Sequence, residues 1–294
     1  DMPKWLESNN GHVINTTINK FGYIFFRSPS EIDNYKYKIR YYLNEEVKKF
    51  SQIKHPVIKH AIKKFKLQNR KLHITYDGDL PSRCGLGSSS SFSVGLINSI
   101  SKFKNIKLNK KNLASMSLRF EHDVLKENVG YQDQIAASYG GINYIKFKRK
   151  KFSVSSLFKY SKSCKILNQS IMLFLADGKR NASNIELIKN KKIKKNFRIY
   201  NDIFDVTTEA LNIIKSQKHN FLEDFGNLLN EYWKLKKDLD GSVSNDSINY
   251  YCSKFLDIGA NGVKLMGAGS GGFILILKNK KIQKKIEKKF PNKK

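Results

Sequence analysis

Cysteine is scarce in this sequence, and long apolar runs are missing from it. The 294 residues include three cysteines, Cys84, Cys164 and Cys252, which are odd in number and far apart. This pattern excludes a disulfide framework and a zinc cluster, so we predict a reducing, cytoplasmic location. No apolar run approaches the ~20 residues that a membrane-spanning helix needs, so we expect no membrane partner.

Acidic residues are also few beside basic ones. The sequence has 55 lysines and arginines against 25 aspartates and glutamates, a net charge of +30. Such a charge attracts nucleic acids, and it attracts phosphorylated small molecules as well. The lysines are spread along most of the chain and no nucleic-acid-binding motif accompanies them. We therefore expect no specific nucleic-acid partner, and nucleic-acid binding stays open as a rival interpretation.

A glycine-rich loop joins a predicted strand to a predicted helix. Residues 81–91 read Pro-Ser-Arg-Cys-Gly-Leu-Gly-Ser-Ser-Ser-Ser, after an alternating run at 71–76 and before apolar residues at helical spacing. Gly85 and Gly87 allow backbone angles and close approach that a side chain would forbid. The serines can cap the helix and leave amide groups pointing outward, which favours phosphate binding at the helix N-terminus.

Two familiar phosphate-binding patterns are absent from this loop. No Gly-Lys-Ser/Thr follows it, and Ser90 occupies the position of the third glycine in a dinucleotide-binding motif. An ordinary capped turn is the alternative interpretation of the loop.

Two carboxylates further along the chain are candidates for chemistry. Asp133 lies between amides in a stretch that ends in the paired glycines Gly140 and Gly141, and it could act as a general base. Glu121 and the Ser89 hydroxyl are candidate Mg²⁺ ligands, because Mg²⁺ takes oxygen ligands and few of them from protein. A helix cap and a solvated helix acid are the alternatives for the two carboxylates.

Mixed strands and helices predict an α+β chain. The composition turns basic and polar at 148–151, so we predict one domain over residues 1–150 and a second over 151–294. A second glycine loop occupies 267–272, and we expect the two loops to meet in a cleft between the halves. Residues 1–8 are predicted to form a short helix.

Three segments resemble the GHMP kinases. Residues 81–91 resemble the second motif of that family, and Lys-Leu-Met-Gly-Ala-Gly-Ser-Gly-Gly at 264–272 resembles its third. Phe-Glu-His-Asp-Val-Leu at 120–125, followed by Gly-Tyr-Gln-Asp-Gln-Ile-Ala-Ala-Ser-Tyr-Gly-Gly at 130–141, resembles the branch of heptose phosphate kinases.

The resemblance implies a fold and a reaction. The fold would combine a ribosomal S5 domain 2-like N-terminal domain with a ferredoxin-like C-terminal domain. The reaction would use ATP and Mg²⁺ to phosphorylate a heptose 7-phosphate at its anomeric hydroxyl. A kinase for a galactose- or fucose-type sugar and a catalytically silent nucleotide- or sugar-binding paralogue are the alternatives, and the oligomeric state is left open.

The resemblance also implies roles for individual residues. Asp133 would be the catalytic acid or base. The other implied contacts are ATP at Arg83, Gly85, Leu86, Gly87, Ser88, Ser89 and Ser90; Mg²⁺ at Ser89 and Glu121; and substrate at Asp1, Thr17, Asp133, Arg180, Gly267, Ala268, Gly269 and Ser270.

The sequence departs from the family pattern in three places. Asp1 matches the last residue of the family's first motif, and the rest of that motif, with a basic residue near the reaction centre, would precede it. A fragment and a chain that lacks a catalytic part are the two interpretations. Asn19 replaces an acidic residue, and Ser90 replaces the more usual alanine.

Overall fold

Three β-sheets and the helices packed on them make up the part of the chain that the structure describes. The structure is a computed structural model, and it describes residues 1–81, 84–149, 151–177, 188 and 191–291. The strands are β1 (Gly11–Thr16), β2 (Gly22–Arg27), β3 (Tyr37–Arg40), β4 (Asn44–Val47), β5 (Leu72–Gly78), β6 (Ile142–Lys148), β7 (Lys151–Ser156), β8 (Ile171–Asp177), β9 (Gly262–Leu265) and β10 (Gly272–Leu277). The α-helices are α1 (Pro56–Lys64), α2 (Ser88–Phe103), α3 (Lys110–Arg119), α4 (Gln132–Tyr139), α5 (Ser161–Ser170), α6 (Phe197–Ser216), α7 (Phe221–Asp238), α8 (Asp246–Asp257) and α9 (Lys280–Lys289). The predicted α+β class is confirmed.

A four-stranded sheet with the order β2-β5-β3-β4 carries the first glycine loop. Strands β3 and β5 are parallel, and the other neighbours are antiparallel. Helix α2 buries Phe92, Leu96, Ile97 and Ile100, as its apolar spacing predicts. These side chains join one core with Ile74 of β5. The loop is therefore anchored on both sides, by a strand of the sheet and by the helix that covers it.

A second sheet has the order β1-β6-β7 and is antiparallel throughout. Lys148 and Lys151 are paired at the turn of the β6–β7 hairpin, where the composition predicts a domain boundary. Strand β7 thus completes a sheet that begins in the first half of the chain. The division at residue 150 stays a prediction.

The third sheet, β8-β10-β9, is also antiparallel and belongs to the second half of the chain. Phe174, Phe255 and Ile274 lie in its core, with helix α8 packed on the strands. Helices α6 and α7 pack against each other beside it, and α6 also contacts β1. Within the described residues, the helices are too short or too polar to cross a bilayer.

Two local predictions were wrong or incomplete. Residues 1–8 form turns instead of a helix. The Ser8 amide donates to the Trp5 carbonyl three residues back, at 3.3 Å, which is a turn-type bond, and the Asn9 amide closes the segment on the same carbonyl at 3.0 Å. Strand β4 was not predicted, since its sequence Asn-Glu-Glu-Val lacks alternation. Its Glu45 is buried and accepts hydrogen bonds from the Lys54 amide, at 2.6 Å, and the His55 amide, at 3.0 Å.

His12 links the two halves of the chain. Its ring lies on Phe204 of α6 with 3.8 Å between the centroids. Nε2 is 2.8 Å from the Phe204 carbonyl, and Nδ1 is 2.9 Å from the Tyr144 hydroxyl. Because a carbonyl only accepts, Nε2 carries the proton and Nδ1 accepts from the tyrosine. Burial lowers the pKa of His12, although the bond to Phe204 works in the opposite direction, so the ring is neutral at pH 7.

We predict that His12 makes the fold less stable in acid. A histidine whose pKa is lower in the folded state binds fewer protons than in the unfolded chain, so stability falls as the pH drops below about 6.5. His12→Gln should reduce the slope of the unfolding free energy against pH by at most about 1.4 kcal/mol per pH unit, which is the value for one proton. Urea unfolding between pH 7.5 and 5.5 measures it, with the exposed His219→Gln as control. Equal slopes in wild type and His12→Gln would contradict the prediction.

Candidate active site

The first glycine loop presents the N-terminus of α2 to a cleft. Gly85 and Gly87 have φ values of 90° and 70°, and Gly87 is the residue that starts the helix. No acidic residue lies in the first turn of α2. The first amides of a helix lack acceptors within it, and the helix dipole adds partial positive charge there. This end of α2 is therefore suited to an anion such as phosphate.

The second glycine loop touches the first through the backbone. The Phe273 amide donates to the Cys84 carbonyl at 3.2 Å. A Cβ atom on Gly272 would lie 2.1 Å from that same carbonyl oxygen, and Gly272 has a φ of 104°. Only glycine fits such an approach. The prediction that the two loops meet is confirmed.

Asp133 lies against the start of α2. It occupies the first turn of α4 and is exposed, and a Cβ atom on Gly87 would be 3.1 Å from its Cγ atom. Asp1 is close to the same segment, because its carboxylate accepts from the Gln132 amide at 3.1 Å. The two carboxylates therefore lie near the N-terminal end of α2.

Glu121 is buried behind this surface, with 3% of its area exposed. Its Oε2 atom accepts from the Ser90 hydroxyl at 3.0 Å and from the Gln134 amide at 2.5 Å. Among the described residues, none makes a hydrogen bond to its Oε1 atom. Burial raises the pKa of Glu121, the Gln134, Ser93 and Ser90 side chains lower it, and the charge of Asp133 raises it.

A widened helical turn places Glu121 there. Helix α3 ends at Arg119, and residues Phe120–Val124 form one turn of π-helix. The Leu125 amide donates to the Phe120 carbonyl, five residues back, at 3.0 Å. The regular spacing of apolar residues in this region does not reveal the extra residue in the turn. Single π-turns of this kind are frequent at functional sites.

The predicted Mg²⁺ ligands are not in contact with each other. Ser89 is exposed on the first turn of α2, whereas the serine that contacts Glu121 is Ser90. Within the described residues, no group of three or more His, Cys, Asp and Glu side chains could hold a metal ion. Mg²⁺ takes oxygen ligands, and usually only one or two of them from protein. The buried Oε1 atom of Glu121 is an oxygen of the required kind.

A cleft of about 220 Å³ lies in front of these groups. It brings together predicted site residues from four parts of the chain. These are Asp1, Gly85, Gly87, Asp133, Gly267 and Ala268.

Other predicted site residues lie elsewhere. The Thr17 hydroxyl accepts from the Gly141 amide at 2.8 Å, away from the cleft lining. Gly269 packs against Val243, and the Ser270 amide donates to the Val243 carbonyl at 2.9 Å. Leu86 and Ser88 are half-buried in the first loop. Arg83 and Arg180 lie outside the described residues.

The sequence did not single out several residues that line the cleft. They are chiefly aromatic, with one buried lysine: Trp5, His12, Tyr200, Phe204, Tyr232 and Lys236. Lys236 is 6% exposed and donates to the Gly267 carbonyl of the second loop. Its signal was hidden because Lys234, Lys237 and apolar residues flank it in a very basic chain. Tyr200, Phe204 and Tyr232 come from helical stripes that look like ordinary core.

Comparison with known proteins identifies the family. A sequence profile described as GHMP kinases N terminal domain matches residues 53–141, and one described as GHMP kinases C terminal matches residues 212–294. The D-glycero-alpha-D-manno-heptose 7-phosphate kinase of Campylobacter jejuni is 30% identical over 295 residues, which cover 93% of this chain and 83% of that protein. The chain belongs to the GHMP kinase family. Its enzyme class is therefore that of a kinase, a phosphotransferase.

Other GHMP kinases are similar over much of the chain. The mevalonate kinase of Methanocaldococcus jannaschii is 30% identical over 219 residues, which cover 73% of this chain and 64% of that protein. A crystal structure of a D-glycero-D-manno-heptose 1-phosphate kinase from Bacteroides thetaiotaomicron has a TM-score of 0.75 at 20% identity. The match covers 98% of this chain and 86% of that one, and it shows a shared fold. The predicted GHMP kinase fold is confirmed.

We predict that Gly87→Ala strongly lowers the turnover of the folded enzyme and only modestly lowers its stability. The new methyl group would force Asp133 to move by a few tenths of an ångström, and a shift of ~1 Å near the reacting atoms can cost ~10²-fold. We expect a loss of roughly tenfold or more in turnover. An alanine in the left-handed backbone conformation of residue 87 would also destabilise the fold by about 1 kcal/mol.

Gly259→Ala is the matched control. Gly259 also has a positive φ, 103°, but its Cβ would meet only the end of the Ile282 side chain, at 3.0 Å. The Gly259→Ala variant should be less stable than the wild type, and its turnover per folded molecule should be unchanged. Thermal unfolding and initial rates, measured on both variants, test the difference. Equal losses of turnover in the two variants would contradict the placement of Asp133.

Proposed function

We propose that this chain is an ATP- and Mg²⁺-dependent sugar kinase whose acceptor is the anomeric hydroxyl of a heptose 7-phosphate. One observation carries the proposal: Asp133 lies beside Gly87, where the anion-binding end of α2 opens into the cleft. A phosphate donor held by α2 and an acceptor held in the cleft would meet at this carboxylate. Phosphoryl transfer depends mainly on such positioning and on electrostatic stabilisation.

The loop residues supply the donor site. We assign the phosphates of ATP to the segment from Gly85 to Ser90, where outward amides and the dipole of α2 favour negative charge. Because the second glycine loop bonds to the Cys84 carbonyl, it closes one side of this site. Gly267 and Ala268 of that loop line the cleft, and in this proposal they face the substrate.

Asp133 has the role of proton acceptor or orienting group. Its carboxylate is exposed to the cleft and can accept a hydrogen bond from an acceptor hydroxyl. It can take the hydroxyl proton as transfer proceeds, or hold the hydroxyl in line with the donor. No covalent enzyme intermediate is required in either case.

Glu121 and Ser89 are the residues that would hold Mg²⁺. The Oε1 atom of Glu121 is a buried oxygen without a hydrogen bond from any described residue, which fits a cation ligand. When bound, Mg²⁺ neutralises charge on the donor phosphates. Glu121 itself stays away from the acceptor, because it is buried behind the cleft surface.

The relatives support a sugar phosphate as acceptor. The Campylobacter jejuni relative is named as a heptose 7-phosphate kinase, and it matches nearly the full chain. The positive charge of the chain and the buried Lys236 in the cleft favour a phosphorylated acceptor. A galactose-type sugar is the second candidate, because a galactokinase of Pyrococcus furiosus is 25% identical over 247 residues, covering 76% of this chain and 68% of that protein.

We predict that Asp133→Asn and Glu121→Gln lose most of the turnover. Losing a proton acceptor costs roughly 10²–10⁴-fold, so Asp133→Asn should fall within this range. Asp123→Asn is the control, because Asp123 is an exposed acid in the same π-turn as Glu121. ADP release is measured with ATP and Mg²⁺ at saturating sugar. Wild-type rates in both variants would contradict the proposed site.

A panel of acceptors decides the substrate. Heptose 7-phosphate, galactose, fucose and mevalonate are compared by kcat/KM, and we expect heptose 7-phosphate to be the preferred acceptor. Preference for an unphosphorylated hexose would keep the mechanism and replace the substrate. Tight ATP binding without turnover on any acceptor would instead favour a silent nucleotide-binding paralogue. Salt-sensitive binding to unrelated duplexes, with no effect of ATP, would support nucleic-acid binding.

A further inference from the structure

The two oxygens of the Glu121 carboxylate are in different environments. Oε2 receives hydrogen bonds from Ser90, at 3.0 Å, and from Gln134, at 2.5 Å. Oε1 is buried and receives none from the described residues. An unpaired buried oxygen costs free energy unless something else binds it. Oε2 is therefore held by the protein, and Oε1 is available to a ligand.

The two donors to Oε2 come from rigid elements. Ser90 lies in the first turn of α2 and is 5% exposed, and Gln134 lies in α4 and is fully buried. Neither side chain can swing into solvent. Two donors from different helices fix both the position of Oε2 and the rotation of the carboxylate about its last bond. With a single donor, the carboxylate could still rotate about that bond.

Gln134 also connects the buried carboxylate with the exposed one. Asp133 and Gln134 are adjacent in α4, and their side chains leave the helix in different directions. Asp133 lies against Gly87 of the first loop, and Gln134 lies against Glu121. Helix α4 therefore sets the position of Asp133 and the orientation of Glu121 together.

We propose that Ser90 and Gln134 are positioning residues, which hold Glu121 by Oε2 so that Oε1 is directed to the metal. The proposal rests on the proposed function, because it requires Glu121 to be a Mg²⁺ ligand. It adds two residues whose side chains act on the metal only through the carboxylate. The sequence assigned Ser90 to ATP phosphates and gave Gln134 no role.

The test measures metal binding directly, without turnover. Mn²⁺ serves as the probe, and its binding to the enzyme with a non-hydrolysable ATP analogue is titrated by electron paramagnetic resonance. Loss of an outer hydrogen bond to a metal ligand typically weakens metal affinity by about 10–100-fold. We expect Ser90→Ala and Gln134→Met each to weaken Mn²⁺ binding by about tenfold or more. The KM for Mg²⁺ should rise in parallel, with the KM for sugar nearly unchanged.

Two control variants remove buried hydroxyl groups that do not contact Glu121. Ser101→Ala changes a buried serine of the same helix as Ser90, and Ser138→Ala changes a buried serine whose hydroxyl donates to the Gln134 backbone carbonyl at 2.7 Å. Both should bind Mn²⁺ like the wild type. If they weaken binding as much as Ser90→Ala does, general loss of packing explains the effect and the proposal is overturned.

A double-mutant cycle separates this proposal from the proposed function. In a Glu121→Gln background, Ser90→Ala should have no further effect on Mn²⁺ affinity, because its action passes through the carboxylate. Unchanged affinity in Glu121→Gln alone would remove the metal site and, with it, both proposals. Weakened affinity in Glu121→Gln with wild-type affinity in Ser90→Ala and Gln134→Met would overturn only the positioning role. Ser90→Ala deletes a single oxygen, so it keeps the test decisive even where Gln134→Met does not fold.

Discussion

A backbone hydrogen bond between two glycine-rich loops is the constraint on which the cleft depends. The Phe273 amide reaches the Cys84 carbonyl only because Gly272 has no side chain and adopts a positive φ. The bond joins a loop fixed by the four-stranded sheet to a loop fixed by the sheet of the second half. The cleft walls are thus set by rigid elements that are far apart in the sequence. Glycine at this position loses more conformational entropy on folding than another residue would, but it allows the two loop backbones to approach closely.

The site contains two carboxylates in opposite environments. Asp133 is exposed at the cleft, whereas Glu121 is buried and accepts hydrogen bonds from the side chains around it. Burying a carboxylate is unfavourable unless hydrogen bonds or a cation compensate. Within the part of the chain that the structure describes, the hydrogen bonds of Glu121 go to one oxygen, and the proposed Mg²⁺ would complete the compensation. Helix α4 supplies a residue to each environment, and this gives the two carboxylates a fixed relative position.

Much of the fold could be predicted from the sequence, because local patterns determine it. The spacing of apolar residues predicts α2, and the glycines before it predict the loop that leads into the helix. The family resemblance adds Asp133, Glu121 and the second glycine loop as site residues, and their roles stay predictions. Long-range contacts could not be predicted in this way. His12 and Phe204 are 192 positions apart, and no local pattern pairs them.

Details within the site depend on geometry that the sequence does not encode locally. Whether Ser89 or Ser90 faces Glu121 depends on where the helix begins, and this follows from the left-handed conformation of Gly87. The π-turn at Phe120–Val124 shifts Glu121 relative to a regular helix, and periodicity gives no sign of it. Lys236 could not be distinguished by charge, since it is one cation among many.

The β6–β7 hairpin has a consequence for how the chain can be divided. Strand β7 follows residue 150, yet it pairs along β6 from Asn143–Ser156 to Lys148–Lys151. A polypeptide that stopped at residue 150 would leave one edge of β6 with unsatisfied amide and carbonyl groups. Such an edge is a template for pairing with other chains, so an isolated first half would be prone to aggregate. The pairing of this sheet therefore extends past the point where the composition changes.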